Sequence, residues 1–384
     1  MNKRFIVVLV TILVLLSGCI QSQQLEQLGI IHTRGIDILE DEQIESTMSI
    51  FQFEAQSQNF TKIVSGTGKT VKGTLEDAGN KSNYRLVPGK LQLELFGQEV
   101  AKEGLISYLD TLRRDAIIPD ALYLAVSATT AKDIMMVQED KISSNIGQYL
   151  SELIEEVARD HNFPKVSLQE YMRIVGTTGK DPILPQFSIK DSNVPEISSI
   201  AIFSDDKYVG EIPINEMTLF NIMEKKIEAR WIELMLPVEP LQQYIQNELS
   251  GETKEEKEGF FRTAYTVEQG KSKIKQSKEN KLAFTTEIEM DLSLLEISLT
   301  YNLEEPDAVK ALEKEVEKKL KARYESIMDQ LQEMNADPFG YGVVYRINQD
   351  KEKLDRNEWK SIYPDIEVDF KVNVNIIRHG TLNK

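Results

Sequence analysis

One cysteine, Cys19, stands in 384 residues, which excludes an internal disulfide framework and any thiolate metal cage. Histidine is nearly as scarce. His32, His161 and His379 are spread over the whole chain, so no two of them have the spacing of a helical zinc motif, and a metal site would have to be assembled from distant segments. Basic residues are in deficit, 45 against 62 acidic, for a net charge of −17. That balance argues against a nucleic-acid binder whose affinity rests on phosphate neutralisation. It also repels bare anionic lipid, so membrane attachment has to come from an anchor. No Gly-x-Ser-x-Gly elbow occurs, nothing marks a Ser, a His and an Asp as partners, and no catalytic or cofactor-binding residue is assigned. Ser65-Gly66-Thr67-Gly68-Lys69-Thr70 imitates the end of a phosphate-binding loop, but Ile63 occupies the position of the first required glycine. A structural glycine turn is expected there instead.

What is present begins at the N-terminus. Met1-Asn2-Lys3-Arg4 precedes Phe5 to Leu16, where Thr11 alone is polar. Twelve helical residues rise about 18 Å, short of the roughly 30 Å that a spanning helix must cross, so residues 1–18 read as an export signal. Leu16-Ser17-Gly18-Cys19 follows at once and is similar to a bacterial lipobox. Cleavage is expected between Gly18 and Cys19, leaving an S-diacylglycerol, N-palmitoyl cysteine as the new N-terminus. Two or more acyl chains give stable attachment where one gives only marginal binding.

With 41% hydrophobic and 28% charged residues, the remainder has the composition of folded domains, and its length suits two or three. Gly29–Leu39 and Ser46–Ala55 alternate apolar and polar residues around the charged turn Glu40-Asp41-Glu42 and predict a hairpin. Thr70–Ser82 is a candidate helix, Lys90–Phe96 a strand, Gly97–Asp115 helical, and Ala121–Thr129 a strand buried on both faces. Lys132–Val137, Ser143–Asn162 and Ser167–Val175 read as helices. Asp110, Arg113, Arg114 and Asp115 are expected in solvated or interdomain ion pairs. Gly176–Val194 carries Pro182 and Pro185 and adjoins Pro195, the composition of a linker. Two strands, Ser199–Phe203 and Tyr208–Ile212, a helix from Asn215 to Lys226, a strand at Trp231–Val238 and a helix at Leu241–Leu249 follow. Gly251–Gly259 reads as a solvated loop or domain joint. The last third predicts two long antiparallel strands, Phe260–Ser277 and Lys281–Thr300, an amphipathic helix Glu305–Asn335 and a closing strand Ile366–Ile377. The expected fold class is α+β in about three domains, with mixed or antiparallel sheets and a C-terminal antiparallel sheet crossed by the long helix. The boundaries are 19–195 for an N-terminal α/β domain, 196–255 for a small middle domain and 256–384 for the C-terminal domain.

Several of these pieces together resemble a known family, the C-subunit lipoproteins of bacterial spore germinant receptors (Ger(x)C type). The resemblance is carried by Cys19, Leu28-Gly29, Gly35-Ile36-Asp37, Ser65-Gly66, Lys90-Leu91, Ala101–Leu105, Leu109-Asp110 and Arg113-Arg114-Asp115. It continues through Lys180-Asp181-Pro182 with Leu184-Pro185, Ala201-Ile202-Phe203 with Asp206-Lys207, and Gly210-Glu211. Its most specific part is Ala336-Asp337-Pro338-Phe339-Gly340-Tyr341-Gly342, then Trp359-Lys360 and Arg378-His379-Gly380. The sequence departs at Pro338, where the family usually has Ile, and at Tyr363-Pro364, where a second Trp often follows.

The resemblance implies three mixed α/β domains and a non-enzymatic subunit. It implies lipid anchoring on the outer face of the spore inner membrane, without cofactor, beside two integral-membrane partners of A and B type, in a complex that triggers germination. Only Cys19 carries a role over, and no germinant-binding residue is assigned. The alternative reading is a free-standing solute-binding lipoprotein of a transporter, which predicts two doubly wound parallel domains. An exported enzyme is a third, disfavoured by the missing catalytic sets.

Overall fold

The computed structural model describes residues 27–53, 61–137, 142, 145–159, 163, 166–190, 193–224, 230–246, 259–349 and 354–378. Gly18, Cys19, His161, His379 and nearly all of the charged 251–259 stretch lie outside them. Among the described residues no helix is long and apolar enough to cross a membrane.

The first sheet grows from the expected hairpin. β1 (Leu28–Ile38) and β2 (Ile44–Phe51) pair antiparallel around a turn in which Asp41 and Glu42 take positive φ. β3 (Thr61–Gly68) adds to β2, and α1 (Val71–Asn80), capped by the Thr70 hydroxyl, folds back over it. The Ser65–Thr70 segment is therefore the end of a strand and a helix cap rather than a glycine turn. Gly66 lies so close beneath α1 that a Cβ would come within 2.1 Å of the Thr74 carbonyl oxygen. Glycine here serves close strand–helix packing.

β4 (Arg85–Val87) pairs with the start of β1, and β5 (Leu93–Phe96) runs parallel along its later half. After α2 (Gln98–Glu103) and α3 (Ile106–Arg114), β6 (Tyr123–Ser127) joins parallel to β5. α4 (Ala131–Met135), α5 (Ile146–Arg159) and α6 (Leu168–Val175) lead to β7 (Ile183–Ile189), again parallel. Two helix layers cover this parallel centre. Leu93, Leu95, Ala125 and Phe187 meet Ile134, Ile146 and Leu150 on one face. Phe96, Leu124 and Val126 meet Val100, Leu109, Leu168 and Tyr171 on the other. Strands buried on both sides need continuous apolar runs, and Ala121–Thr129 supplies one.

The stretch expected as a linker is strand β7. β8 (Pro195–Ser204) and β9 (Lys207–Pro213) extend the same sheet antiparallel, in the order β3-β2-β1-β5-β6-β7-β8-β9 with β4 beside β1. After α7 (Met217–Met223) the chain forms a second sheet, β10-β11-β12-β13, from Arg230–Pro237, Phe260–Gln276, Ala283–Ile297 and Glu367–Arg378. Residues 196–255 thus have no sheet of their own among the described residues. β8 and β9 belong to the first sheet and β10 to the second, while Ile200 to Phe203 and Ile232, Leu234 and Leu236 are buried in one apolar core that runs across both sheets.

β10, β11 and β12 are antiparallel, but β13 joins β12 parallel. The long connection allows this, since α8 (Pro306–Glu333), α9 (Tyr341–Asn348) and α10 (Arg356–Ile362) return the chain to the end where β12 began. α8, about 42 Å long, crosses the sheet and closes its edges. Glu317 and Glu313 accept the Val374 and Ile376 amides of β13 at 2.9 and 2.8 Å. Near β10, Arg323 binds Glu216 at 2.7 Å and reaches the Glu233 carbonyl. Occupied edge amides cannot template pairing with another chain.

Candidate functional site

Three of the motifs that carry the family resemblance, those around Asp181, Asp337 and Trp359-Lys360, converge where the two sheets meet. Four separate segments contribute: the turn before β7, the β8–β9 turn, the stretch between α8 and α9, and α10. Asp181 and Asp337 first bond through their backbones, the Asp181 amide donating to the Asp337 carbonyl at 2.9 Å. The Asp337 amide returns a bond to Asp181 Oδ2 at 2.8 Å, and the Asp205 amide donates to Asp181 Oδ1 at 2.7 Å. Lys360 supplies the balancing charge. Its Nζ lies 3.0 and 3.2 Å from the two Asp181 oxygens, 2.5 Å from Ser204 Oγ and 3.2 Å from the Asn335 carbonyl. Three ammonium protons thereby find three directions of acceptor.

Asp337 is 1% exposed and accepts four N–H groups. Gly340 and Tyr341 amides reach Oδ1 at 2.8 and 3.0 Å, and the Gly342 amide and Trp359 Nε1 reach Oδ2 at 2.8 and 3.1 Å. The sequence dictates this loop. Gly340 takes φ +80°, a left-handed conformation that a side chain resists, which lets three successive amides curl round one carboxylate. Gly342 is held by contact, since a Cβ there would meet Gly179 Cα at 2.5 Å and the Trp359 ring at 2.6 Å. Trp359 is itself packed between Tyr345 and Tyr363. At the rim Arg356 bridges Asp205 at 2.9 Å and the Val175 carbonyl, and Lys180 pairs with Glu224 at 2.6 Å.

Burial pushes the Asp337 acid up to about 7, with the nearby Asp181 charge adding to it, against the amides that favour the anion. A raised carboxyl pKa means the folded chain keeps a proton that the unfolded chain gives up above about pH 4. The stability it contributes is whole below pH 4, falls as pH rises to 7, and is flat beyond, by on the order of 1.4 kcal/mol per unit. We expect the stability gap between wild type and Asp337→Asn to be wider at pH 5 than at pH 7.5 in urea unfolding. A constant or widening gap on going to pH 7.5 would count against it.

A second buried carboxylate explains another motif. Asp37 of Gly35-Ile36-Asp37 accepts the Ala131 and Lys132 amides at 2.7 and 2.8 Å, fixing the start of α4. Gly97 has to be small, because a Cβ would fall 2.1 Å from Asp37 Oδ1. Burial raises the Asp37 pKa. Asp110, Arg113, Arg114 and Asp115, expected in ion pairs, form none among the described residues. Asp115 instead accepts the Ile117 amide at 3.1 Å.

The Ser204 hydroxyl at the junction accepts from the Lys360 ammonium, which is shared with the Asp181 carboxylate and the Asn335 carbonyl. The charged groups of Asp181, Asp337 and Lys360 are spent on neighbouring donors and acceptors, while Asn335 Oδ1 is buried there without a hydrogen-bond partner, and the arrangement is that of a structural lock.

Two family models match the chain in tandem. One, described as the spore germination protein N-terminal domain, covers residues 21–189, and the other, spore germination B3/GerAC like, C-terminal, covers 198–380. The chain belongs to this GerAC-like spore germination family. Within it, spore germination protein GerQC of Bacillus cereus is 23% identical over 381 residues, spanning 98% of this chain and 99% of that protein. Spore germination protein KC of Bacillus subtilis (strain 168) is 20% identical over 394 residues, spanning 96% and 94%. The crystal structure of the GerBC protein superimposes with a TM-score of 0.55 at 16% identity, over 92% of this chain and all of that one. The α+β architecture is therefore shared with the GerBC protein. The junction joins the two matched regions, since Asp181 lies in the first and Asp337, Trp359 and Lys360 in the second. No sequence spacing links residues 156 positions apart, and their shared membership in the family motifs was the one available signal.

Proposed function

We propose that the protein is a lipid-anchored, non-enzymatic subunit of a spore germinant receptor, held on the outer face of the spore inner membrane beside two integral-membrane subunits of A and B type. The observation that carries the reading is the chain's one cysteine, placed directly after Leu16-Ser17-Gly18 and a twelve-residue apolar run, in a member of a spore germination family. Diacylglyceryl transfer needs a thiol nucleophile after small residues that fit an extended groove, and this is the position where one is available. The two-sheet body, locked at Asp181 and Asp337, suits a subunit that offers a fixed surface to partners. The solute-binding alternative fits less well. The first sheet has a parallel centre with antiparallel flanks and the second is mostly antiparallel, unlike two doubly wound halves.

The test is a pull-down from detergent-solubilised spore membranes with wild type and Cys19→Ala. Two polytopic proteins should copurify with wild type and be depleted with the variant. Recovery of the protein alone, or with a permease and an ATPase, would overturn the receptor assignment and favour the transporter one.

A further inference from the structure

We propose that the corner of the first sheet where β1 begins lies flat on the bilayer, with an anionic phospholipid surface as its partner, so that the protein has one fixed orientation on the membrane. The inference rests on the lipid-anchor reading for its tether and on the structure for the surface. Nine residue steps separate Cys19 from Leu28 and reach at most about 32 Å. A folded chain of this length is about 50 Å across, so the root of β1 must stay near the headgroups and the far side cannot reach them.

The two ends of β1 differ in chemistry. At the root, Leu28 pairs with Arg85, and Arg85, Lys62 and Lys90 are exposed around it. Ile117, 57% exposed, lies beside Gly89, where a Cβ would be 3.2 Å from its side chain, and Phe53, 39% exposed, continues β2 at the same end. This end also carries Asp115 and Asp120, in the segment leading to β6, and Glu152 and Glu155 on α5, which share a groove with Lys90 and Phe53, so the basic corner is centred on Lys62 and Arg85 beside β4 at the tether root. At the other end of the 11-residue strand, about 36 Å away, the turn is Glu40-Asp41-Glu42, all exposed. An acidic protein of net charge −17 is repelled by anionic lipid as a whole. A basic corner with apolar tips at the tether lowers that repulsion where the anchor holds the chain against the surface, each basic side chain near the surface contributing about 1 kcal/mol, or roughly fivefold in binding.

The test supplies the tether artificially, so that it does not depend on acylation. The chain from Ile20 carries an N-terminal histidine tag on vesicles of phosphatidylglycerol, brominated in the acyl chains, with a trace of nickel-chelating lipid. Tryptophan placed by Ile117→Trp should be quenched well above the parent protein, and tryptophan placed by Leu39→Trp, at the acidic end, should not. The pair Arg85→Glu with Lys90→Glu should abolish the quenching at 117, as should phosphatidylcholine vesicles. Equal quenching at 117 and 39, none at 117, or quenching indifferent to lipid charge would each overturn the proposal. Failure of the anchor reading shows separately, as an unmodified Cys19 in the mass spectrum of protein from cell membranes.

Discussion

At pH 7.5, where the Asp337 carboxylate is mostly ionised, Asp337→Asn should lower stability by about 3 kcal/mol and uncouple the two sheets. The substitution keeps the shape but turns one acceptor into a donor. Each carboxylate oxygen of Asp337 faces two N–H groups, so whichever way the amide sits, its NH₂ points at two donors. A buried group left unsatisfied costs about 1–3 kcal/mol, more where a charged group held the site. Two donors lose their acceptor here, and the repulsion adds to the loss. Replacing the residue also loosens Gly340 to Gly342, whose amides hold the loop against Gly179 and Trp359. Trp359 is the natural reporter, being 2% exposed at the junction. In urea, its fluorescence in the variant should change at lower concentration than the far-ultraviolet dichroism of the sheets, while in wild type the two coincide. Non-coincident probes are the mark of lost two-state behaviour. A loss under about 1 kcal/mol with coincident transitions would mean that the lock does not couple the halves.

The parts of the fold that were legible in the sequence share a physical cause. The last third was read nearly to the residue, with a helix expected at 305–335 and found at Pro306–Glu333. A long amphipathic helix and long half-exposed strands leave a clean period, and Val372, Val374 and Ile376 are buried while their neighbours are not. The direction of β13 was not legible, because periodicity is the same in parallel and antiparallel strands. β7 was hidden by Pro182 and Pro185. Pairing with β6 begins only at Gln186, so the missing N–H of Pro185 breaks no bond to β6, and a proline that argues against a central strand is tolerated at its start. β3 was hidden by glycines that serve its contact with α1. The junction could not be read from composition at all. Asp181, Asp337 and Lys360 are three among 107 acidic and basic residues, and only the fold shows which of them lose water together.

Arg34 and Glu94 set the second large expectation, and it tests how the first sheet is held in register. The two residues are direct partners on the parallel strands β1 and β5. Arg34 Nε lies 2.9 and 3.2 Å from the carboxylate oxygens and Nη2 lies 3.0 Å away. Both side chains are buried, at 4% and 0% exposure. Breaking such a pair by removing one partner costs about 3–5 kcal/mol, because the survivor is a charge without water, while replacing both with apolar groups is often neutral. Arg34→Met and Glu94→Leu should each cost about that much, and the double variant should recover most of it. The two single variants should also differ with pH. Burial raises the Glu94 pKa and Arg34 opposes that rise, so without Arg34 the carboxyl takes up a proton more readily. A proton removes the stranded charge, and the cost of Arg34→Met should shrink from pH 8 to pH 5. Glu94→Leu removes the one carboxyl of the pair that can take up a proton and leaves a guanidinium with donors only, so its cost should not shrink over that range. Additive single effects, or equal pH dependence for both, would show that the pair is solvated in the native state and that hydrophobic packing alone sets the register of β1 on β5.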